Sequence, residues 1–181
     1  VGYRFFLTAF FKEGDVAIWV LESAYRYAKA SAVLLNAHLS FESEVNAALA
    51  MELLIKSLLV EVVENSRKGT VLEQYSSRHI GLRDGHNLMG LYNKVPTDIA
   101  VKVGLASQVD LLERKKDVFK SLRYIYEESA PRGSDNVLLQ TVCWLLPQVV
   151  DHFVQEGVED KWLMYMKSNP QLMMERSIAA S

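Results

Sequence analysis

From Asp15 onward the apolar residues Ile18, Leu21, Tyr25, Ala28, Ala32, Leu35 and Leu39 recur at alternating spacings of three and four. That period predicts a helix with one buried face, and Asp15, after Gly14, is its expected N-cap. The stretch from Ser40 to Asn65 predicts a second helix, capped by Ser40, with Glu42 and Glu44 in a first turn whose dipole favours anions. At about 100° per residue its Asn46, Ser57, Glu61 and Glu64 share one narrow polar strip. The rest of its circumference is expected to be buried, which makes it the central helix of a bundle.

Residues 65–85 hold Gly69, Gly81 and Gly85 with no sustained period and read as a long connection. Arg67, Lys68, Arg78, His79 and Arg83 make it the most basic local stretch, against Glu73 and Asp84. Leu88, Leu91, Tyr92 and Val95 then predict a short helix ended by Pro96, and Thr97 and Asp98 open another whose face is Ile99, Val103, Ala106 and Val109. The charged run "ERKKD" reads as a solvated face or a bend. Phe119, Leu122 and Tyr126 continue a helical stripe that stops before Pro131 and Gly133. Ser134 or Asp135 is expected to cap a further helix closed by Gly157, with Pro147 removing one backbone donor and kinking its axis.

The tail from Glu159 to Met174 is Met-rich and amphipathic, with Trp162, Leu163 and Met166 on one side, suited to the bundle or to a second subunit. With no strand pattern and no repeat, the expected fold class is all-α: an up-and-down helical bundle of four to five main helices with a C-terminal helical appendage. The expected division is an N-terminal arm over 1–14, the bundle over 15–157, and a C-terminal amphipathic helix and tail over 158–181.

Composition adds bounds. The 181 residues suit one domain, and half of them are apolar, enough for a real core. A net charge of −2 restricts any nucleic-acid surface to a local patch. The single cysteine, Cys143, excludes an intrachain disulfide and a Cys-based zinc cluster, which favours a cytoplasmic protein. The N-terminal "VGYRFFLTAFFKEGD" lacks the form of a signal peptide and reads as a packing arm. "NVLLQTVCWLLPQVV", the longest apolar run, carries two glutamines and a proline and is not expected to span a membrane.

Glu52 and Lys56 are four residues apart in the favourable Glu-before-Lys order. Glu52 lies about 120° or more from the polar strip, where a charge needs a partner. Arg123 and Glu127 are also four apart, in "SLRYIYEES", and pairing Arg123 with Glu52 and Lys56 with Glu127 across helices would neutralise all four. His86 follows Gly85 at the start of the short helix, where a lone histidine more often caps or packs than ligates. His38, His79 and His152 show no metal-ligand spacing either, and no cofactor motif or phosphate-binding glycine loop is present.

Taken together, "NAALAMELLIKSLLVE", "GHNLMGLYNKVP" and "FKSLRYIYEES" resemble the HEPN superfamily over roughly residues 16–130. The resemblance implies a four- or five-helix bundle, often a homodimer, associated with nucleotide binding, RNA cleavage, toxin–antitoxin pairs or phage defence. The catalytic branch of that family carries an arginine followed about five to seven residues later by a histidine, and no arginine here has one at that distance. The resemblance therefore implies a non-catalytic or regulatory module. It would bind a nucleotide, an RNA or a partner protein near Glu52, Lys56, His86, Arg123, Tyr126 and Glu127. A metal-independent ribonuclease with an atypical Arg123 and His86 site is the alternative, and a purely structural dimer the third.

Overall fold

A computed structural model describes residues 18–63, 74–76, 80–82, 85–124 and 133–174. Among them are eight α-helices: α1 (Ile18–Asn36), α2 (Ser40–Ser57), α3 (Leu88–Tyr92), α4 (Thr97–Lys102), α5 (Val109–Arg114), α6 (Val118–Arg123), α7 (Val137–Gln155) and α8 (Lys161–Ser168). The all-α class holds. Two three-residue strands, β1 (Glu61–Val63) and β2 (Gln74–Ser76), add a small antiparallel ribbon that the sequence reading lacked. The expected helix through Asn65 ends instead at Ser57, just before a valine-rich run whose branched side chains suit extended backbone.

Most of the predicted stripe of α1 is buried, while Tyr25 and Leu35 are half-buried, Leu39 is exposed beyond the helix end, and the expected cap Asp15 lies outside the described residues. Ile18, Leu21, Ala28 and Ala32 are in the core, joined by Ala24. Small residues at 24, 28 and 32, with Ala47, Ala48 and Ala50 on α2, let the two helices approach closely. Ser31 and Ser43 lock that approach by donating from each hydroxyl to the other's carbonyl, both at 2.8 Å. α2 also packs on α7, which buries Leu138, Leu139, Val142, Leu145, Leu146, Val149, Val150 and Phe153.

By length and apolar composition alone α7 could cross a membrane, but most of it is buried inside the fold. Cys143 is buried within it. Gly157, at φ +83, closes it as expected, since that left-handed backbone suits glycine.

Two further helices are shorter than their periodicity predicted. The single helix expected after Thr97 is broken after Lys102 by Gly104, at φ +79, and resumes through a 3-10 turn into α5. The "ERKKD" run ends α5 with Glu113 and Arg114 and supplies, in Lys115, Lys116 and Asp117, the bend between α5 and α6. α6 itself stops at Arg123, and Tyr126 and Glu127 lie outside the described residues. The N-terminal arm also lies outside them.

The C-terminal segment packs on its own chain. Asp160 caps α8 through Leu163 N, Leu163 and Met166 are buried, and Trp162 meets Tyr25 of α1 with ring centroids 6.1 Å apart.

Candidate functional site

Of the polar residues singled out by sequence, Lys56 and His86 meet Glu52 in the middle of α2. Glu52 is 4% exposed in a helix otherwise lined by Ala48, Met51, Leu54 and Ile55, so its carboxylate must be satisfied by protein groups. Lys56 Nζ donates to Oε1 at 2.6 Å, one turn along the same helix. His86 Nδ1 lies 2.8 Å from Oε2. An ionised carboxylate only accepts, so the His86 proton belongs on Nδ1, and in the neutral ring Nε2 is the basic nitrogen.

This corrects the expected pairing: the cross-helix partner of Glu52 is His86, not Arg123. Arg123 lies instead over aromatic rings, its guanidinium carbon 5.1 Å from the Phe119 centroid and 5.5 Å from that of Tyr124. Such contacts favour a cation electrostatically without neutralising it. The expected Lys56–Glu127 pair involves a residue outside the described ones.

Phe119 joins the two halves. The sequence placed it on a core stripe, and it is nearly buried, yet its ring also meets His86 at 4.7 Å between centroids. A second positioning residue is Asn87, which sequence reasoning passed over for its neighbour. Its side-chain oxygen accepts from Gly90 N at 2.6 Å and so caps α3, the role considered for His86. Its amide nitrogen reaches Asp117 at 3.2 Å, while Leu88 N donates to Lys116 O. Asn87 thereby pins the start of α3 to the α5–α6 bend and sets His86 beside Phe119.

The group that results is Glu52, Lys56, His86, Phe119 and Arg123, drawn from α2, the approach to α3, and α6. The His86 side chain is 44% exposed and Arg123 is exposed, so one edge faces solvent. Its two permanent cations outnumber its one carboxylate.

A second buried glutamate on α2 was read only as a first-turn anion. Glu44 is 2% exposed and forms an ion pair with Lys115 Nζ, while its other oxygen accepts from Asp135 N at 3.1 Å. Lys115 also reaches the Asp135 carboxylate at 2.8 Å. Burial pulls the Lys115 pKa down, but the hydrogen bonds to Asp135 and Glu44 and their charges outweigh it, and the net direction is upward. The helical wheel carried a signal for this: Glu44 lies about 100° or more from every residue of the polar strip. A cleft of about 310 Å³ adjoins this network, lined by Glu113, Arg114, Lys116, Asp117 and Ser121 among others. Counting Glu44 and Lys115, its three acids and three bases balance, so it selects neither anion nor cation.

Among the described residues no group of three or more His, Cys, Asp or Glu side chains is placed to hold a metal ion. No protein-family model, no curated protein and no solved structure matches this chain.

Proposed function

We propose that this chain is a HEPN-like binding or regulatory module that takes a nucleotide or an RNA phosphate at the edge formed by Lys56, His86 and Arg123. One observation carries the reading: Lys56 and His86 close on the buried Glu52 carboxylate, and Phe119, which meets both His86 and Arg123, brings the Arg123 cation to the same edge beside aromatic rings. Such an edge suits a phosphate with a base to stack. Ligand binding to the folded state raises the melting temperature, by about 2.7 kcal/mol of stabilisation at a hundred times Kd. Mononucleotides and a short RNA are therefore expected to raise Tm in the wild type and not in Arg123→Glu. If neither ligand shifts Tm while a partner protein does, the partner-binding form of the module replaces the nucleotide-binding one.

A second reading, metal-independent RNA cleavage, is favoured by the Glu52–His86 contact. A carboxylate on Nδ1 orients an imidazole and places its basic lone pair on Nε2, as a general base for a ribose hydroxyl requires. Incubation with mixed RNA in chelator tests it. Cleavage by the wild type, lost in His86→Ala and Arg123→Ala of matched stability, would make the protein an enzyme; intact RNA leaves the binding module.

A further inference from the structure

The C-terminal end of α7 meets α4 through a charged group remote in sequence from the proposed binding edge. His152, in the last turn of α7, is buried, and its Nδ1 makes no hydrogen bond. Glu156, one turn on, has Oε1 3.7 Å from that nitrogen. The same oxygen accepts a 2.7 Å hydrogen bond from Lys102 Nζ at the end of α4. Among the described residues the ionisable groups acting on His152 are Lys102 and Asp98 from α4 and Glu156 from its own helix. Its sequence neighbour Asp151 is engaged by Lys167 of α8.

Just beyond Lys102 the chain turns through Gly104, where a Cβ would come within 2.5 Å of the Trp144 indole. The α4 turn thus touches α7 at two places: Gly104 against Trp144, and Lys102 on Glu156. α4 also buries Ala100, with Val103 just beyond it, in the core, and Lys102 on Glu156 is its charged hold on the end of α7.

We propose that His152 is a proton-operated latch: once protonated, its Nδ1–H takes the Glu156 oxygen that Lys102 holds, and α4 with its Gly104 turn lifts from Trp144. An imidazolium donates from both nitrogens, so the unsatisfied Nδ1 becomes a competitor for Oε1. It also adds a positive charge next to Lys102, and one exposed-edge carboxylate cannot hold both cations equally.

The direction with pH follows. Burial, and after it the Lys102 charge, hold the His152 pKa below its ordinary value, although Glu156 and Asp98 pull it up. The closed form therefore binds the proton less well than the open form. Closure is fully favoured above the ordinary histidine value of about 6.5 and weakens as pH falls below it. In that window a single proton raises the open population by up to about tenfold per pH unit.

The test is hydrogen exchange of the amides of residues 97–104 in the whole chain between about pH 8 and pH 5, corrected for the intrinsic pH dependence of exchange. Opening is expected to rise by up to about tenfold per pH unit in the wild type, to be flat in His152→Gln, and to be raised at every pH in Glu156→Gln. Acrylamide quenching of Trp144 in a Trp19→Phe, Trp162→Phe background should follow the same curve. A wild type with equal opening at both ends of the range, or a His152→Gln variant that keeps the pH dependence, overturns the latch. Neither result depends on whether a nucleotide binds at Arg123, so the two proposals fail separately.

Discussion

Glu44 and Glu52 lie two turns apart on the same helix, both almost excluded from water, and they have been satisfied in opposite ways. Glu44 is closed in. Its partners are Lys115 from the α5–α6 bend and the backbone before α7, and Lys115 is tied again to Asp135. Every strong group in that network has a protein partner, and it joins α2, the bend and the entry to α7. Glu52 is closed on one side by its own helix and on the other by a histidine whose ring is almost half exposed. The difference teaches what a buried charge implies here: both carboxylates need partners, but only the Glu52 set includes a donor almost half exposed to solvent.

The sharpest way to break that comparison is to truncate each carboxylate. Removing one partner of a buried ion pair leaves the other uncompensated, which costs about 3–5 kcal/mol. Glu44→Ala is expected to reach that range in urea unfolding. Glu52→Ala is expected to lose less, because the exposed edge lets water reach His86. Equal losses would make the Glu52 group another closed structural network and remove its distinction.

Asn87→Ala comes next in size. It deletes the α3 cap and the tie to Asp117, for an expected loss of about 1–2 kcal/mol, and it frees His86 to leave Phe119. The His86 ring signals in an NMR spectrum should then lose the ring-current shift from Phe119; unchanged signals would show that Glu52 alone positions the ring.

The pH response separates the two clusters further. The Lys115 pKa is raised in the fold, so its contribution to stability is present below the ordinary value of 10.5 and is lost as pH rises through the folded value. Lys115→Met should flatten the alkaline limb of a stability-versus-pH curve, and an unchanged limb would show that the network titrates elsewhere.

The smallest expected effect on stability is that of Arg123→Ala. An exposed cation over aromatic rings contributes about 0.5–1 kcal/mol, yet the variant should lose the whole ligand-induced rise in Tm. A large destabilisation with ligand response intact would assign Arg123 to structure.

Much of this was legible in the chain before any fold was considered. The period of three and four placed α1 and its buried face, because a helix that must bury one side repeats its apolar residues at its own pitch. Glu52 and Lys56 were recognisable as a pair, and Glu52 as one needing more than solvent, since both facts follow from spacing along a single helix. Spacing could not identify His86 as the second partner, thirty-four residues away. Oppositely charged Arg123 was the more obvious choice, but the distance between groups on different elements is set by how Asn87 docks α3 on the bend. The helix ends were likewise decided by competition: Gly104 left-handed against Trp144, the valine-rich run drawn into a ribbon, and α6 stopping at Arg123 although its apolar stripe runs on. Sequence by itself determined where most of the helices would lie and that Glu52 could not stay unpaired, since both are properties of a local period. Only the tertiary structure decided which partner each charge found, because that choice belongs to elements brought together from far along the chain.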